Sequence, residues 1–336
     1  MKEALLYEKK EDKRALCHLC AHRCLISDGK FGVCGVRQNI NGVLYTHSYG
    51  KLISSNIDPI EKKPIFHLLP GSRSYSIAAA GCNFHCDFCQ NWQISQKSQA
   101  DTLRLAPFDV PCEEIIREAR QSKCESISYT YTEPTIFFEY AFEIAKLAKK
   151  EGLFNVFVTN GYMTKECLDM LGGVLDAANV DLKSFSDDYY KKVCGGRLKP
   201  MLESIDYMKN KNIWVEVTTL VVPGKNDSDE ELKQIAAFLA GVSKDIPWHI
   251  SRFYPQYKMD NVQPTAVSTL KKAYHIGKAA GLYYVYLGNM PGEREATLCY
   301  NCNEVLIDRI GYDVKRNVIK EGRCPKCATK IAGIWK

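Results

Sequence analysis

No stretch of this chain approaches the roughly 20 consecutive apolar residues a membrane-spanning helix needs. Its opening segment, MKEALLYEKKEDKR, is charged where a secretory signal would carry an apolar run. Both absences point to a cytoplasmic protein. A concentrated basic tract is missing too: 45 Lys and Arg are interspersed with 39 Asp and Glu, leaving a net charge of +6. Nothing in that pattern marks a nucleic-acid surface. With 336 residues the chain can bury a sizeable core, enough for one large domain with smaller attachments.

What the chain has in quantity is cysteine, 15 in all. In a secreted protein such a number would suggest disulfides, but here all except four fall into three tight groups with metal-ligand spacing, which suits reduced thiolates. The exceptions, Cys112, Cys124, Cys167 and Cys194, are scattered singly and read as small buried hydrophobes. Nothing near Cys194 in KKVCGGR visibly lowers its pKa.

The most informative group is Cys82-x3-Cys86-x2-Cys89, within GCNFHCDFCQNW. Three thiolates are one short of what a four-iron cubane requires, so one iron is left open to a small molecule. A zinc site with a distant fourth ligand is the competing reading. The last group, Cys299-x2-Cys302 and Cys324-x2-Cys327, is a paired CxxC with zinc-ribbon spacing. Four thiolates leave no open position, so this site is expected to be structural and to contribute to folding a tail too short for its own core. Tetrahedral sulfur ligation alone does not separate zinc from rubredoxin-like iron there. The first group, Cys17-x2-Cys20-x3-Cys24-x9-Cys34, suits structural zinc or an additional Fe–S cluster, and His18 or His22 could replace one thiolate.

These groups divide the chain into a Cys-rich segment with a small β element over 1–71, a core over 72–290 and a four-cysteine tail over 291–336. In the core, short apolar or β-branched runs ending in polar or glycine-containing turns predict strands over 75–80, 126–131, 156–159, 179–183, 215–222 and 249–254. Helical spacing of apolar residues predicts a helix over 134–150, and Ser228 with Glu231 forms a capping box opening another that runs to about 239. Strand-then-helix repetition implies a parallel sheet. The polar residues of interest track strand ends: Cys82, Thr132-Glu133-Pro134, Thr159-Asn160-Gly161 and Asp181-Leu182-Lys183.

The three-cysteine motif resembles that of the radical S-adenosylmethionine (SAM) enzymes, and residues 72–260 resemble the pyruvate formate-lyase activating enzyme-like branch. That resemblance implies an α/β fold, a partial (β/α)6 TIM barrel with its chemistry in the loops after the strands. It implies a [4Fe–4S] cluster on Cys82, Cys86 and Cys89, chelated at its open iron by the amino and carboxylate groups of SAM, and one-electron cleavage to a 5'-deoxyadenosyl radical. By the same resemblance Phe88, Cys89 and Gln90 neighbour the cofactor, Asp181 and Lys183 line its pocket, and Thr132 and Glu133 stand where the family carries Gly-Gly-Glu; Asn160, ending the next strand, joins the SAM-binding set. Thr218 occupies a position where the family often has Arg, and Tyr257 lies where some activases use His. Both depart from protein glycyl-radical activation. His249 and Arg252 are placed on a strand from which they could approach substrate.

Over nearly the whole chain, the CxLCxHRC and GKFGVCGVR patterns, the DPIEKKPIFHLLPG segment, the CNFHCDFCQNWQIS core and the four-cysteine tail look like the AmmeMemoRadiSam-type radical SAM enzymes. That implies an oxygen-sensitive enzyme with Memo-like and AMMECR-like partners, served by a one-electron donor of the flavodoxin or ferredoxin class, taking hydrogen from a small molecule or a protein. A glycyl radical enzyme activating enzyme is one alternative. A non-catalytic zinc-dependent binding module, with all three cysteine groups holding zinc, is another.

Overall fold

The computed structural model describes residues 1–96, 109–290, 292 and 295–335. At its centre is an eight-stranded sheet whose strands neighbour one another in chain order: β1 (Leu52–Pro59), β2 (Arg73–Ala79), β3 (Ser126–Tyr129), β4 (Phe154–Thr159), β5 (Ala177–Asp181), β6 (Trp214–Val221), β7 (Trp248–Arg252) and β8 (Val285–Gly288). From β2 onward all pairings are parallel, and β1 joins β2 antiparallel. The six expected strands are therefore present as an open barrel-like sheet, extended by a seventh parallel strand and an antiparallel edge.

Parallel strands need crossovers, and here they are helices, among them Cys112–Gln121, Phe138–Lys150, Leu198–Asn210, Asp229–Val242 and Val267–Ala279. The segment expected as one helix over 134–150 is a 3-10 turn, Pro134–Phe137, running into the α-helix Phe138–Lys150. Proline at the first turn costs no hydrogen bond and fixes the entry. The capping box at Ser228 forms by half. Ser228 Oγ accepts from the Glu231 amide at 3.2 Å, but the Glu231 carboxylate turns away to accept from the Phe185 amide at 2.8 Å and from the Ser184 hydroxyl. The helix also runs three residues past 239, to Val242.

The DPIEKKPIFHLLPG segment packs into the sheet's interior rather than over its surface. Side chains alternate along a strand, so Glu216 lies on the same face of β6 as Thr218 and Leu220. Its carboxylate, fully buried, accepts from the Phe66 and His67 amides at 2.9 and 2.8 Å, from Trp214 Nε1 at 3.0 Å, and faces His249 Nε2 at 2.6 Å. On β5, Asn179 donates to the Pro64 carbonyl at 2.7 Å.

The tail forms a three-stranded antiparallel sheet, Thr297–Leu298, Val305–Ile310 and Asp313–Asn317. Its apolar residues, Leu306, Ile307 and Ile331, share one cluster with Phe66, Tyr284 and Tyr286 of the barrel side. Arg309, buried, donates to the Phe66 carbonyl and to Thr297 Oγ1, each at 2.8 Å. So the expectation of a tail without a core of its own is met by a core held in common. Before the barrel, two small antiparallel sheets carry the first cysteine group, one of Tyr7–Lys9, Ala15–Cys17 and Leu25–Ile26, the other of Lys2–Glu3, Arg37–Ile40 and Val43–Thr46. Among the described residues no helix is long and apolar enough to cross a membrane.

Candidate functional site

Where the strands end, a cavity of about 540 Å3 opens. That volume is in the range that holds a cofactor or drug-sized ligand. The loop after β2 supplies Cys82, Cys86, Phe88, Cys89 and Gln90; the loop after β3 supplies Thr132 and Glu133; β4 ends in Asn160 and β5 in Asp181 and Lys183. Every residue the sequence marked for the cluster and for SAM thus lines one space.

Glu133 holds this wall together. Its carboxylate accepts from the Thr135 amide at 3.0 Å, the Thr135 hydroxyl at 2.5 Å, the Thr159 hydroxyl at 2.7 Å and the Asn160 amide at 2.7 Å. Burial pushes its pKa up, and these donors oppose the shift. It therefore caps the following helical turn and fixes the end of β4 at once. Gly161 is dictated by the same packing. Its φ is +67°, and a Cβ there would sit 2.7 Å from Val180 Cγ1, so only glycine lets the chain turn beneath Asn160. Asn160 in turn donates to Asn83 Oδ1 at 2.7 Å and lies 3.8 Å from Cys82 Sγ. The Thr132 hydroxyl is spent on the Ala79 carbonyl at 2.6 Å, tying the loop to β2.

The thiols sit in unlike surroundings. Burial, with the nearby Glu133 carboxylate, pushes Cys82 well up, and burial also raises Cys89, whose Sγ lies 3.1 Å from Ser95 Oγ. Cys86 goes the other way. A hydrogen bond with Cys194 lowers it, burial opposing and the Lys183 ammonium assisting. Thiolates, not thiols, are the ligands of metals, so burial disfavours the ligating form at Cys82 and Cys89 while Cys86 is biased toward it. Lys183 is 2.9 Å from Asp181 and 5.6 Å from the centre of the Phe88 ring. Burial opposes its charge, but Asp181 and then the thiols of Cys86 and Cys194 hold it protonated.

Several residues fall elsewhere. His249 does not reach the cavity; it pairs with Glu216 and packs its ring against Phe66 and Tyr286. Arg252 donates to the Thr265 carbonyl at 2.9 Å, and Tyr257 stacks on Trp92. The idea that His249 and Arg252 approach substrate is corrected by this placement: β7 turns one into the polar interior and the other toward its own loop. Thr218 does line the cavity, bonded to Asn179 at 2.9 Å. Unmarked by the sequence, the cavity is also lined by Lys62, Lys63, Tyr131, Asn289 and Tyr312. Asp58 bridges the two lysines, 2.8 Å from Lys62 and 2.6 Å from Lys63, and accepts from Tyr131. Burial lowers Lys63 to about 8 against the pull of Asp58.

The other two groups differ from this one and from each other. In the tail, Cys299 Sγ and Cys327 Sγ are 3.6 Å apart, Cys302 Sγ and Cys324 Sγ 3.7 Å, and all four lie within 4.8 Å. Four sulfurs about 2.3 Å from one tetrahedral ion would be about 3.8 Å apart, so these are set for a single ion. Cys17, Cys20, Cys24 and Cys34 instead surround a small enclosed cavity. Burial raises Cys20 and Cys24, and takes Cys34 to about 11. His18 and His22 stand outside it, His18 against Arg23 at 2.8 Å and His22 against the Asn83 carbonyl at 2.7 Å.

Comparison with known proteins agrees with this geometry. The profile described as "Radical SAM superfamily" matches residues 76–239. The chain belongs to the radical SAM superfamily. It is 44% identical over 340 residues to the uncharacterized protein MJ0808 of Methanocaldococcus jannaschii, covering 98% of this chain and 99% of that one. It is 25% identical to the pyruvate formate-lyase 1-activating enzyme of Escherichia coli over 57% of this chain and 83% of that enzyme. In fold it is similar to Streptococcus suis SuiB bound to S-adenosylmethionine, with a TM-score of 0.51 at 13% identity, covering 68% of this chain and 53% of SuiB. Membership of this superfamily implies SAM and a [4Fe–4S] cluster. Three thiols on one wall of a cavity with room for a ligand beside them fit that pair.

Proposed function

We propose that this radical SAM enzyme ligates a [4Fe–4S] cluster through Cys82, Cys86 and Cys89, binds SAM beside it with Phe88, Cys89, Gln90, Thr132, Glu133, Asn160, Asp181 and Lys183, and removes a hydrogen atom from a substrate held in the same cavity. The observation that carries this reading is the convergence of those three thiols and the Asp181–Lys183 pair on one space of about 540 Å3. When bound, the reduced cluster would supply one electron to SAM, whose sulfonium C–S bond would break to give methionine and a 5'-deoxyadenosyl radical.

The chain's own residues bind, orient and shield. Lys183, kept protonated, offers a cation for a carboxylate, and Asp181, more exposed, offers an acceptor for hydroxyl or ammonium groups. Glu133 acts at one remove, because its oxygens are already engaged in fixing Thr159 and Asn160. Farther round the cavity two ammonium groups, Lys62 and Lys63, share the single carboxylate of Asp58. That surplus of positive charge suits a substrate carrying a carboxylate or phosphate. The tail site, with closed coordination, serves as a structural zinc or iron centre.

We assign the chain to the AmmeMemoRadiSam type, with Memo-like and AMMECR-like proteins as associates and a cytoplasmic flavodoxin- or ferredoxin-class donor. Thr218 and Tyr257, in place of residues common in activases, favour a small molecule over a protein glycine. The test is an anaerobic, reduced assay with SAM alone, with small organic anions and with a glycyl radical enzyme. Formation of 5'-deoxyadenosine, rising with an organic anion, is expected; a stable protein radical seen by electron paramagnetic resonance in the third arm would redirect the substrate assignment. Zinc without iron or sulfide, and no 5'-deoxyadenosine, would replace the whole reading with a zinc-dependent binding module.

A further inference from the structure

Three cysteine groups of similar spacing in sequence become unlike objects in space. A zinc ion about 2.3 Å from each of four sulfurs leaves no room at the centre for anything the size of water. The tail has that geometry, with sulfurs 3.6 and 3.7 Å apart across the site. Cys17, Cys20, Cys24 and Cys34 do not. They ring one cavity in which the centre of a water-sized sphere has about 20 Å3 to move, and among the described residues only the tail brings three or more such ligand atoms within 4.8 Å of one another. In this the N-terminal quartet behaves like Cys82, Cys86 and Cys89, whose sulfurs also stand around a space.

Water is a poor occupant for that cavity, because a buried water needs about two to four polar partners and much of the wall is aliphatic, formed by Leu19, Ile26 and Ile136. The thiols themselves are tied into a buried polar frame. Arg37 donates to Cys17 Sγ at 3.3 Å and is ion-paired with Glu139, both residues 1% exposed. Hydrogen bonds to ligating sulfur are among the features that tune iron–sulfur centres. We propose that Cys17, Cys20, Cys24 and Cys34 ligate a second iron–sulfur cluster inside this cavity.

Its position is specific. Asn83 forms part of the cavity wall and is the residue after Cys82, and its Oδ1 accepts from Asn160 at 2.7 Å. Asn83 therefore stands between the two cysteine groups. With four protein thiolates the second cluster has no open iron, so it adds iron and sulfide to the protein without adding a place for SAM.

The experiment uses the full chain with Cys82, Cys86 and Cys89 all changed to Ala, reconstituted with iron and sulfide without air. Iron with a matching amount of acid-labile sulfide should remain, its reduced spectrum should ignore SAM, and adding Cys20→Ser with Cys34→Ser should remove both. A converse variant, Cys20→Ser with Cys34→Ser alone, covers the case in which the triple variant fails to fold. It should lose about half the iron of the unaltered protein while the tail metal stays. No iron in the triple variant when folded, iron unchanged in the converse variant, or a second zinc per chain in the unaltered protein would each overturn the proposal. Iron and sulfide retained in the triple variant, with no 5'-deoxyadenosine made by the unaltered protein, would support this second cluster while sinking the function proposed above.

Discussion

The tail cysteines and the cysteines after β2 use the same side chain for opposite ends. In the tail, four sulfurs converge on one point against the edge of a shared apolar core, so an ion held by all four has no open coordination position. After β2, three sulfurs line one side of a large cavity whose other walls carry Asp181, Lys183, Lys62 and Lys63. The lesson is that ligand number and access, rather than ligand type, separate a metal that holds a fold from one that does chemistry.

If that contrast is right, removing thiols from each site should have unlike consequences. Cys86→Ala should abolish 5'-deoxyadenosine formation altogether while leaving the tail metal in place, measured by product assay and metal analysis on one sample. Cys302→Ser with Cys324→Ser should release the tail metal and withdraw binding energy on the order of 10 kcal/mol from the fold. The expected result is a large fall in melting temperature, because Phe66, Tyr284 and Tyr286 lose their tail partners. A tail variant that melts like the unaltered protein would contradict the shared core.

A smaller effect comes from acid. His67 is buried, with Nδ1 2.7 Å from the Ala332 carbonyl and Nε2 2.7 Å from Tyr286 Oη, and burial pulls its pKa down to about 4. An unfolded histidine titrates near 6.5, so below that pH the unfolded chain takes up a proton the folded chain refuses. Stability is full above about 6.5 and falls as pH drops toward 4, by roughly 3 kcal/mol in total for this one group. Melting curves of His67→Asn should show a shallower loss over that window; a slope equal to that of the unaltered protein would rule this out.

The smallest expected change is at Cys194. The neighbouring Cys194 thiol favours the Cys86 thiolate, and an S–H donor to ligating sulfur contributes on the order of 1 kcal/mol. Cys194→Ala should lower the midpoint potential of the cluster by roughly 40 mV, read by redox titration, since about 59 mV corresponds to a tenfold change for one electron. An unchanged potential would return Cys194 to the role of a small buried apolar residue.

Much of the site was readable in the sequence, because the residues that line it end successive strands and a period-2 pattern places them. What was not readable depends on partners far away in the chain. β1 carries polar, exposed residues such as Ser55 and Asn56, and reads as loop until β2 is beside it. β8 is four residues long and ends without a marked polar residue. Glu216 reads as an ordinary strand glutamate; only folding brings it the Phe66 and His67 amides and the His249 ring. The same applies to Cys194, alone in KKVCGGR, whose partner Cys86 arrives with a different loop. Lys62 and Lys63 stood inside a noticed motif, but charge in a sequence does not say which cavity it will face.

The most direct test is the electron paramagnetic resonance spectrum of the reduced, anaerobically prepared protein with and without SAM, recorded on a variant carrying Cys20→Ser and Cys34→Ser so that only the Cys82 group can contribute. An iron corner that lacks a protein ligand and faces the cavity predicts a [4Fe–4S] signal whose g-values shift when SAM is added. A signal indifferent to SAM, or no iron signal at all, would contradict it.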